Sequence, residues 1–246
     1  MNHMILVTAI SVITFAVPPV TSTFDRSADG WTIVDQNCST YGIVGTGVLT
    51  WIATGGNPGG FVRSTDPSSN CYAYAAPTGF LGNRSAYAGG SVCWSIRTNV
   101  ADWLPGSVFI LGSGSLILVA DVPQPSTNGW VSYAVPLDAS AFKVGSATGA
   151  AATPEQLATV LANVTLLRVS AEFGSEAGEE TVDLDSVKLS GPCAADLDNS
   201  GGVNGADLGI LLGDWNTDSL TSDLNCDGIV AGADLGILLG AWGPCL

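Results

Sequence analysis

Two stretches near the end of the chain repeat at an offset of 27 residues, and this duplication constrains the fold more than any other feature. Asp196–Asp207 aligns with Asp223–Asp234, and both continue identically as Leu-Gly-Ile-Leu-Leu-Gly towards Trp215 and Trp242. In each copy, oxygen-bearing side chains stand at loop positions one, three and five, glycine at six and aspartate at twelve. Alternate oxygens with a sharp glycine turn wrap donors around one point, as a hard cation requires. The candidate ligands are Asp196, Asp198, Ser200, the Gly202 carbonyl and Asp207, then Asp223, Asn225, Asp227, the Ile229 carbonyl and Asp234. Each loop offers three carboxylates, enough to offset a divalent charge, so two Ca2+ sites are expected.

The spacing is that of an EF-hand loop, with a helix only on its C-terminal side. Leu208, Leu211, Leu212 and Trp215 fall at helical spacing, as do Leu235, Leu238, Leu239 and Trp242. The pattern predicts two short amphipathic helices, each burying that stripe against the other in an antiparallel pair. Residues 193–246 thus resemble the dockerin module, in which two loop–helix repeats bind calcium and dock onto a cohesin. The resemblance implies a cohesin-like or cell-envelope protein as the partner of the tail. Where cohesin-binding dockerins carry Ser or Thr before the last loop aspartate, this chain has Gly205-Ala206 and Gly232-Ala233.

Ser190-Gly191-Pro192 separates this tail from what precedes it, and no Lys or Arg follows Lys188. With 7 Lys+Arg against 22 Asp+Glu, the chain has a net charge of −15. That excess disfavours nucleic acid and anionic membranes and favours divalent cations. The single histidine, His3, lies in an apolar N-terminal run ended by Pro18-Pro19 and followed by Val20-Thr21-Ser22. This reads as a signal peptide over residues 1–22, with a secreted or cell-surface mature chain and no membrane span. Without His3 the mature chain has no histidine, which excludes Ser-His-Asp and Cys-His catalysis and imidazole-bound zinc. Six cysteines in an exported chain suggest disulfides. Cys38–Cys71 and Cys193–Cys245 are the expected pairs. The three-and-three split about the break leaves Cys93 and Cys226 over, either as an inter-domain bond or as free thiols.

Residues 23–190 alternate short runs rich in Val, Ile, Thr and aromatics with Gly, Ser, Pro and Asn clusters. Strands are predicted at 31–34, 48–53, 91–97, 107–111, 115–119, 130–135, 164–172 and 181–189. Thr153-Pro154-Glu155 opens one short helix, with a capping Thr and Pro in the first turn. The run from Tyr72 to Gly90, with its Ala-Pro, Phe-Leu-Gly-Asn and Tyr-Ala-Gly-Gly pieces, resembles the laminin B (laminin IV type A) domain. So do Gly30-Trp31, Leu111–Gly114 and Leu184–Val187, in the same order. The resemblance implies a mainly β, jelly-roll β-sandwich of galactose-binding-like type, recognising a carbohydrate or extracellular matrix component. The predicted architecture is that sandwich over 23–190 plus a small all-α calcium-binding dockerin-like domain over 191–246.

No catalytic set and no organic cofactor site is predicted. Glu172, Glu176, Glu179 and Glu180 crowd one hairpin, where a solvated turn is the expected environment. A polysaccharide hydrolase, or an accessory subunit of one, is the alternative reading, resting on the company dockerins keep. Trp51, Trp94, Trp103 and Trp130 offer flat rings suited to a pyranose face, although burial is expected for most of them. Asp25 and Asp185 occupy places where jelly-roll sugar-binding modules hold a structural calcium, which would make a third site.

Overall fold

Strand-forming residues with outward polar alternation pair into two antiparallel sheets that enclose one apolar core. The structure, a computed structural model, describes residues 17–65, 70–102, 108–127, 129–175 and 180–245. The strands are β1 (Val20–Ser22), β2 (Thr32–Gln36), β3 (Ile43–Thr46), β4 (Leu49–Ile52), β5 (Phe61–Thr65), β6 (Cys71–Ala75), β7 (Ser91–Thr98), β8 (Val108–Ser113), β9 (Leu116–Asp121), β10 (Val131–Pro136), β11 (Lys143–Val144), β12 (Leu166–Ser170) and β13 (Thr181–Ser190). The first sheet runs β10-β7-β13-β5-β4, with β1 also on β13; the second runs β11-β9-β8-β12-β6-β2-β3. All eight predicted strands are present. Mainly β sandwich architecture is thereby established.

Alternation along the strands sends one set of side chains inward. Trp94 of β7 is stacked between Phe109 and Tyr133, with ring centroids 5.3 and 5.5 Å away. Phe24, Trp31 and Phe80 form a second aromatic group, joined edge to face. Helix α1 (Pro154–Ala162) begins where the sequence places it: Thr153 and Gln156 form a reciprocal capping box, and Leu157, Val160 and Leu161 face the core.

Strand β1 precedes the boundary expected at residue 23. Val20, Thr21 and Ser22 pair with Leu189, Lys188 and Val187, and the buried Ser22 hydroxyl accepts a 3.0 Å bond from Trp31 Nε1. Residues 1–16 of the expected leader lie outside the described residues. No helix among the described residues is long and apolar enough to cross a membrane.

Beyond Ser190 the tail forms helices α2 (Gly205–Gly213) and α3 (Gly232–Gly240) and two short strands, β14 (Gly202–Val203) and β15 (Gly243–Pro244), paired with each other. The expectation of an all-α unit is therefore corrected. The disulfide Cys193–Cys245 brings the tail's ends together, and Cys245 N–H reaches the Gly201 carbonyl beside it. The expected buried stripe is corrected as well. Leu211 and Leu238 are buried with Ala195, Val203 and Val230, and Leu208 and Leu235 pack at the edge. Leu212, Trp215, Leu239 and Trp242 are exposed. A core this small has room for about one helix face, while the Gly-Ile-Leu-Leu-Gly segment is apolar on several sides.

Candidate functional site

The two tail loops are near copies in structure. At loop position four, Asn199 and Cys226 have φ of 57° and 63°; at position six, Gly201 and Gly228 have φ of 96° and 94°. That backbone winds the alternate positions inward. Asp207 Oδ1 accepts from Leu197 N at 2.7 Å and Asp198 N at 3.1 Å, and its Oδ2 from Asn204 N at 2.8 Å. Asp234 repeats the set from Leu224, Asn225 and Ala231 at 2.7, 3.1 and 2.8 Å. Each closing aspartate thus ties the loop's start to the first turn of its helix. Both are fully buried, and among the described residues no Lys or Arg forms an ion pair with either.

Oxygens of Asp196, Asp198 and Asp207 lie within 4.8 Å of one another. Asp196 holds the turn by accepting from Ser200 N at 3.0 Å and Gly201 N at 2.7 Å. Hydrogen bonding from Ser200 keeps the Asp198 carboxyl below the usual carboxylate range. Ser200 Oγ donates to the Gly202 carbonyl at 3.3 Å. In the second loop, Asp223 accepts from Asp227 N and Gly228 N at 3.2 and 2.9 Å. Asn225 Nδ2 donates to Asp227 Oδ2 at 2.8 Å, and Ile229 N donates to Asp227 Oδ1 at 3.1 Å. Burial raises the Asp223 carboxyl. In the first loop, three convergent carboxylates with no ion-paired Lys or Arg among the described residues are a donor set that fits a hard divalent ion. The second loop has the same donor types, with the positive charge of Lys188 near Asp223 and Asp234.

The loops differ in what surrounds them. The second is fastened to the outer face of the first sheet by Cys93–Cys226. Beside that bond the buried Lys188 ammonium of β13 donates to the Asp223 carbonyl, and burial lowers its pKa. The odd cysteine split is thus an inter-domain bond, and both expected pairs, Cys38–Cys71 and Cys193–Cys245, are formed.

In the sandwich, Asp185 is fully buried at a bulge in β13 where Ser186 has φ of 53°. Burial pushes its carboxyl up to about 7, with the Asp25 charge adding to the rise, against hydrogen bonds from Asn57 N and Ser186 N at 2.5 and 2.7 Å. Glycines make room for this pair. A Cβ on Gly59 would sit 2.3 Å from Asp25 Oδ1, and one on Gly56 2.5 Å from Asp185 Oδ2.

The four tryptophans do not form one platform. Trp94 belongs to the core, Trp51 is partly exposed with its indole N–H on the Phe24 carbonyl at 2.6 Å, and Trp103 lies outside the described residues. Trp130 lies beside Arg97 and Phe61. The solvated turn expected for the glutamates is corrected for two of them. Glu172 and Glu180 are buried, and Glu180 accepts from Phe173 N and Gly174 N at 2.9 Å each and from Thr98 Oγ1 at 3.2 Å. A carboxylate spent on backbone N–H groups fixes a loop rather than serving acid/base chemistry. Glu176 and Glu179 lie outside the described residues.

Missed by sequence reading is a charged row on the outer face of the first sheet: Arg97 of β7, Asp183 of β13 and Arg63 of β5, directly paired across strands. Its one sequence signal was charge at alternate strand positions.

The arrangement defines a disulfide-linked β-sandwich of the jelly-roll kind bearing a duplicated loop–helix tail. The Laminin B (Domain IV) family matches residues 73–196, half of the chain, and the protein belongs to that family. The L4b domain of human laminin alpha-2 is similar in structure, with a TM-score of 0.53 at 13% identity, covering 70% of this chain and 97% of that one. A family 11 carbohydrate-binding module of the cellulosomal cellulase Lic26A-Cel5E of Clostridium thermocellum aligns with a TM-score of 0.42 at 13% identity, over 71% of this chain and 96% of its own. No curated protein sequence matches the chain. A laminin B domain with three disulfides has the character of an extracellular protein.

Proposed function

We propose that the chain is an exported, non-catalytic binding protein. Its laminin B sandwich recognises a carbohydrate or matrix component, and its dockerin-like, calcium-binding tail anchors or assembles it through a cohesin-like or cell-envelope partner. The observation that carries the tail's role is the duplicated closing aspartate: Asp207 and Asp234 are fully buried, with equivalent backbone partners and, among the described residues, no ion pair to Lys or Arg, although Lys188 reaches the second loop at the Asp223 carbonyl. Burying a carboxylate is costly unless charge is matched nearby. Calcium would supply that charge and hold each loop closed, through Asp196, Asp198, Ser200, Gly202 and Asp207 in one and Asp223, Asn225, Asp227, Ile229 and Asp234 in the other. Folding of the tail is then linked to metal. Asp25 and Asp185 would hold a third, structural ion, a reading supported by the fully buried Asp185 and the glycine-lined approach at Gly56 and Gly59.

The test is calorimetric titration of the full chain with calcium after chelation, with circular dichroism before and after. Two loop sites accompanied by a gain of helix are expected, and a third heat that disappears in Asp185→Asn. A chain that binds no calcium and keeps its helices in chelator would overturn the metal reading.

A further inference from the structure

We propose that the outer face of the first sheet carries a binding cleft for an acidic sugar residue, a uronate or a sulfated sugar, gripped by Arg63 and Arg97 beside Trp130. The inference deepens the carbohydrate reading of the sandwich and rests on it.

The cleft follows from strand register. Asp183 lies opposite Arg63 on one side and Arg97 on the other, so three charges form a row across β5, β13 and β7. Arg63 forks onto the carboxylate with Nε at 2.6 Å and Nη2 at 2.9 Å. Arg97 reaches Oδ2 with Nε at 2.8 Å and Nη2 at 2.6 Å. One carboxylate offsets one guanidinium, so the row keeps a positive charge in a chain whose net charge is −15. Asp183 is buried, while the side chains of Arg63 and Arg97 are 36% and 28% exposed. What faces solvent is therefore guanidinium. A structural ion pair needs one arginine; the second brings charge that the described lining does not match.

Aromatic rings fix how those groups are presented. The Arg97 guanidinium carbon is 4.6 Å from the Trp130 ring centroid and 5.0 Å from that of Phe61, and Arg63 is 5.4 Å from Phe61. Stacking on the rings and pairing with Asp183 hold the planes in place, so little side-chain freedom is left to lose on binding an oxyanion. An open cleft of about 270 Å³ adjoins the row, with Thr98, Asn99 and Thr181 completing its lining. This is just under the usual ~300–1,000 Å³ of small-molecule sites and suits one sugar residue. Asp183 takes the Nε and Nη2 edge of both arginines, and Arg97 Nη1 also donates to the Gly55 carbonyl at 3.2 Å. An incoming carboxylate or sulfate would therefore meet the remaining guanidinium N–H groups, which serve either oxyanion and let the two acidic sugars share the site chemistry.

The experiment is calorimetry of the full chain against three probes at low and high salt: a galacturonate oligomer, a sulfated galactose oligomer and a neutral gluco-oligosaccharide. We expect an acidic probe to bind, more weakly at high salt, and the neutral one not to bind. The acidic probe that binds identifies the source as uronate or sulfate. Arg97→Gln should weaken binding by about tenfold, the loss of one charge-assisted contact, with an unchanged melting temperature because Arg63 still pairs Asp183. Should that variant unfold, Arg63→Lys keeps the charge, removes the outward guanidinium N–H donors and should weaken binding likewise. Acidic binding indifferent to both changes would overturn the cleft. Binding of the neutral probe alone would overturn the cleft and leave the sandwich a carbohydrate binder. Binding of none would overturn both.

Discussion

Removing the bond between sandwich and tail should cost several kcal/mol and let the two parts unfold separately. Cys93 and Cys226 are 133 residues apart in sequence, and closing a loop of that length in the unfolded chain corresponds to ~5 kcal/mol in the chain-entropy description. The substitutions can be made with little local damage. Cys93 lies on β7 between Ser91 and Ser95, so Ser suits its place. Cys226 is at loop position four with φ of 63°, where the first loop has Asn199 at 57°. Asn tolerates that conformation, and Cys226→Asn copies the first loop. The contacts that then remain include the buried bond from Lys188 to the Asp223 carbonyl, worth about 1.5–3 kcal/mol for a charged donor, and the Asn57 side chain against Gly228. Urea denaturation of Cys93→Ser/Cys226→Asn, followed by tryptophan fluorescence and by hydrogen exchange over residues 216–230, is the assay. A lower midpoint, faster exchange in the second loop and separate transitions are expected. An unfolding free energy within about 1 kcal/mol of the parent, with one shared transition, would refute the reasoning, because the chain-entropy description requires a loop of this length to contribute several kcal/mol.

Phe109→Ala, deleting a fully buried ring stacked on Trp94 and tilted against Phe142, should cost ~3–5 kcal/mol in chemical denaturation. Burial pushes the Tyr133 hydroxyl up to about 12, and among the described residues it has no hydrogen-bond partner. The unfolded chain therefore releases that proton first, so the contribution is complete below pH 10 and is lost as pH rises through 12; denaturation of Tyr133→Phe across this window should show that loss removed. Asp207→Ala takes away a proposed calcium ligand and the acceptor of three backbone N–H bonds, so calorimetry should count one calcium fewer, and the metal-free helix should lose about 1 kcal/mol as its capping partner goes. Gly90→Ala would put a Cβ 1.9 Å from the Ser190 carbonyl oxygen; because the obstacle is the Ser190–Gly191 backbone and not a flexible side chain, a loss of ~1–3 kcal/mol is expected in thermal melts.

Much of the sandwich was legible because its signals are local. Turn formers bound each predicted strand, and Thr153-Pro154 marked α1. The strands that went unread show what was not local. Phe61–Thr65 has two apolar residues followed by Arg63, Ser64 and Thr65, and Cys71–Ala75 is buried almost throughout, so neither has a clean period of two. Val20–Ser22 is three residues long and is a strand only because β13 has a free edge beside Val187–Leu189. In the tail, the left-handed glycine turns at Gly201 and Gly228 and the helices that follow each loop stand where the repeat placed them, because those signals are local. The arginine row was not, because it depends on the register of β5, β13 and β7, which are far apart in sequence.

The tail's exposed side chains bear on its proposed anchoring role. Leu212 and Leu239 are both exposed, as are Trp215 and Trp242, and so are Ile210 and Ile237. The two repeats sit in different surroundings, the second fastened to the sandwich at Cys226 and the first beside the Cys193–Cys245 bond. Equal exposure at matching positions therefore follows from the repeated helix sequence and not from docking. Each helix has one face in a core whose fully buried members are Ala195, Val203, Leu211, Val230 and Leu238, and the apolar residues on its other faces stay in water. Leaving two tryptophans and four aliphatic side chains exposed on so small a unit is costly in solubility and is the usual mark of a surface with a partner. The inter-domain disulfide then acquires a purpose. It holds the second loop on the sheet, so a partner seated on the helices would be carried at a set position relative to the arginine cleft rather than on a free tether.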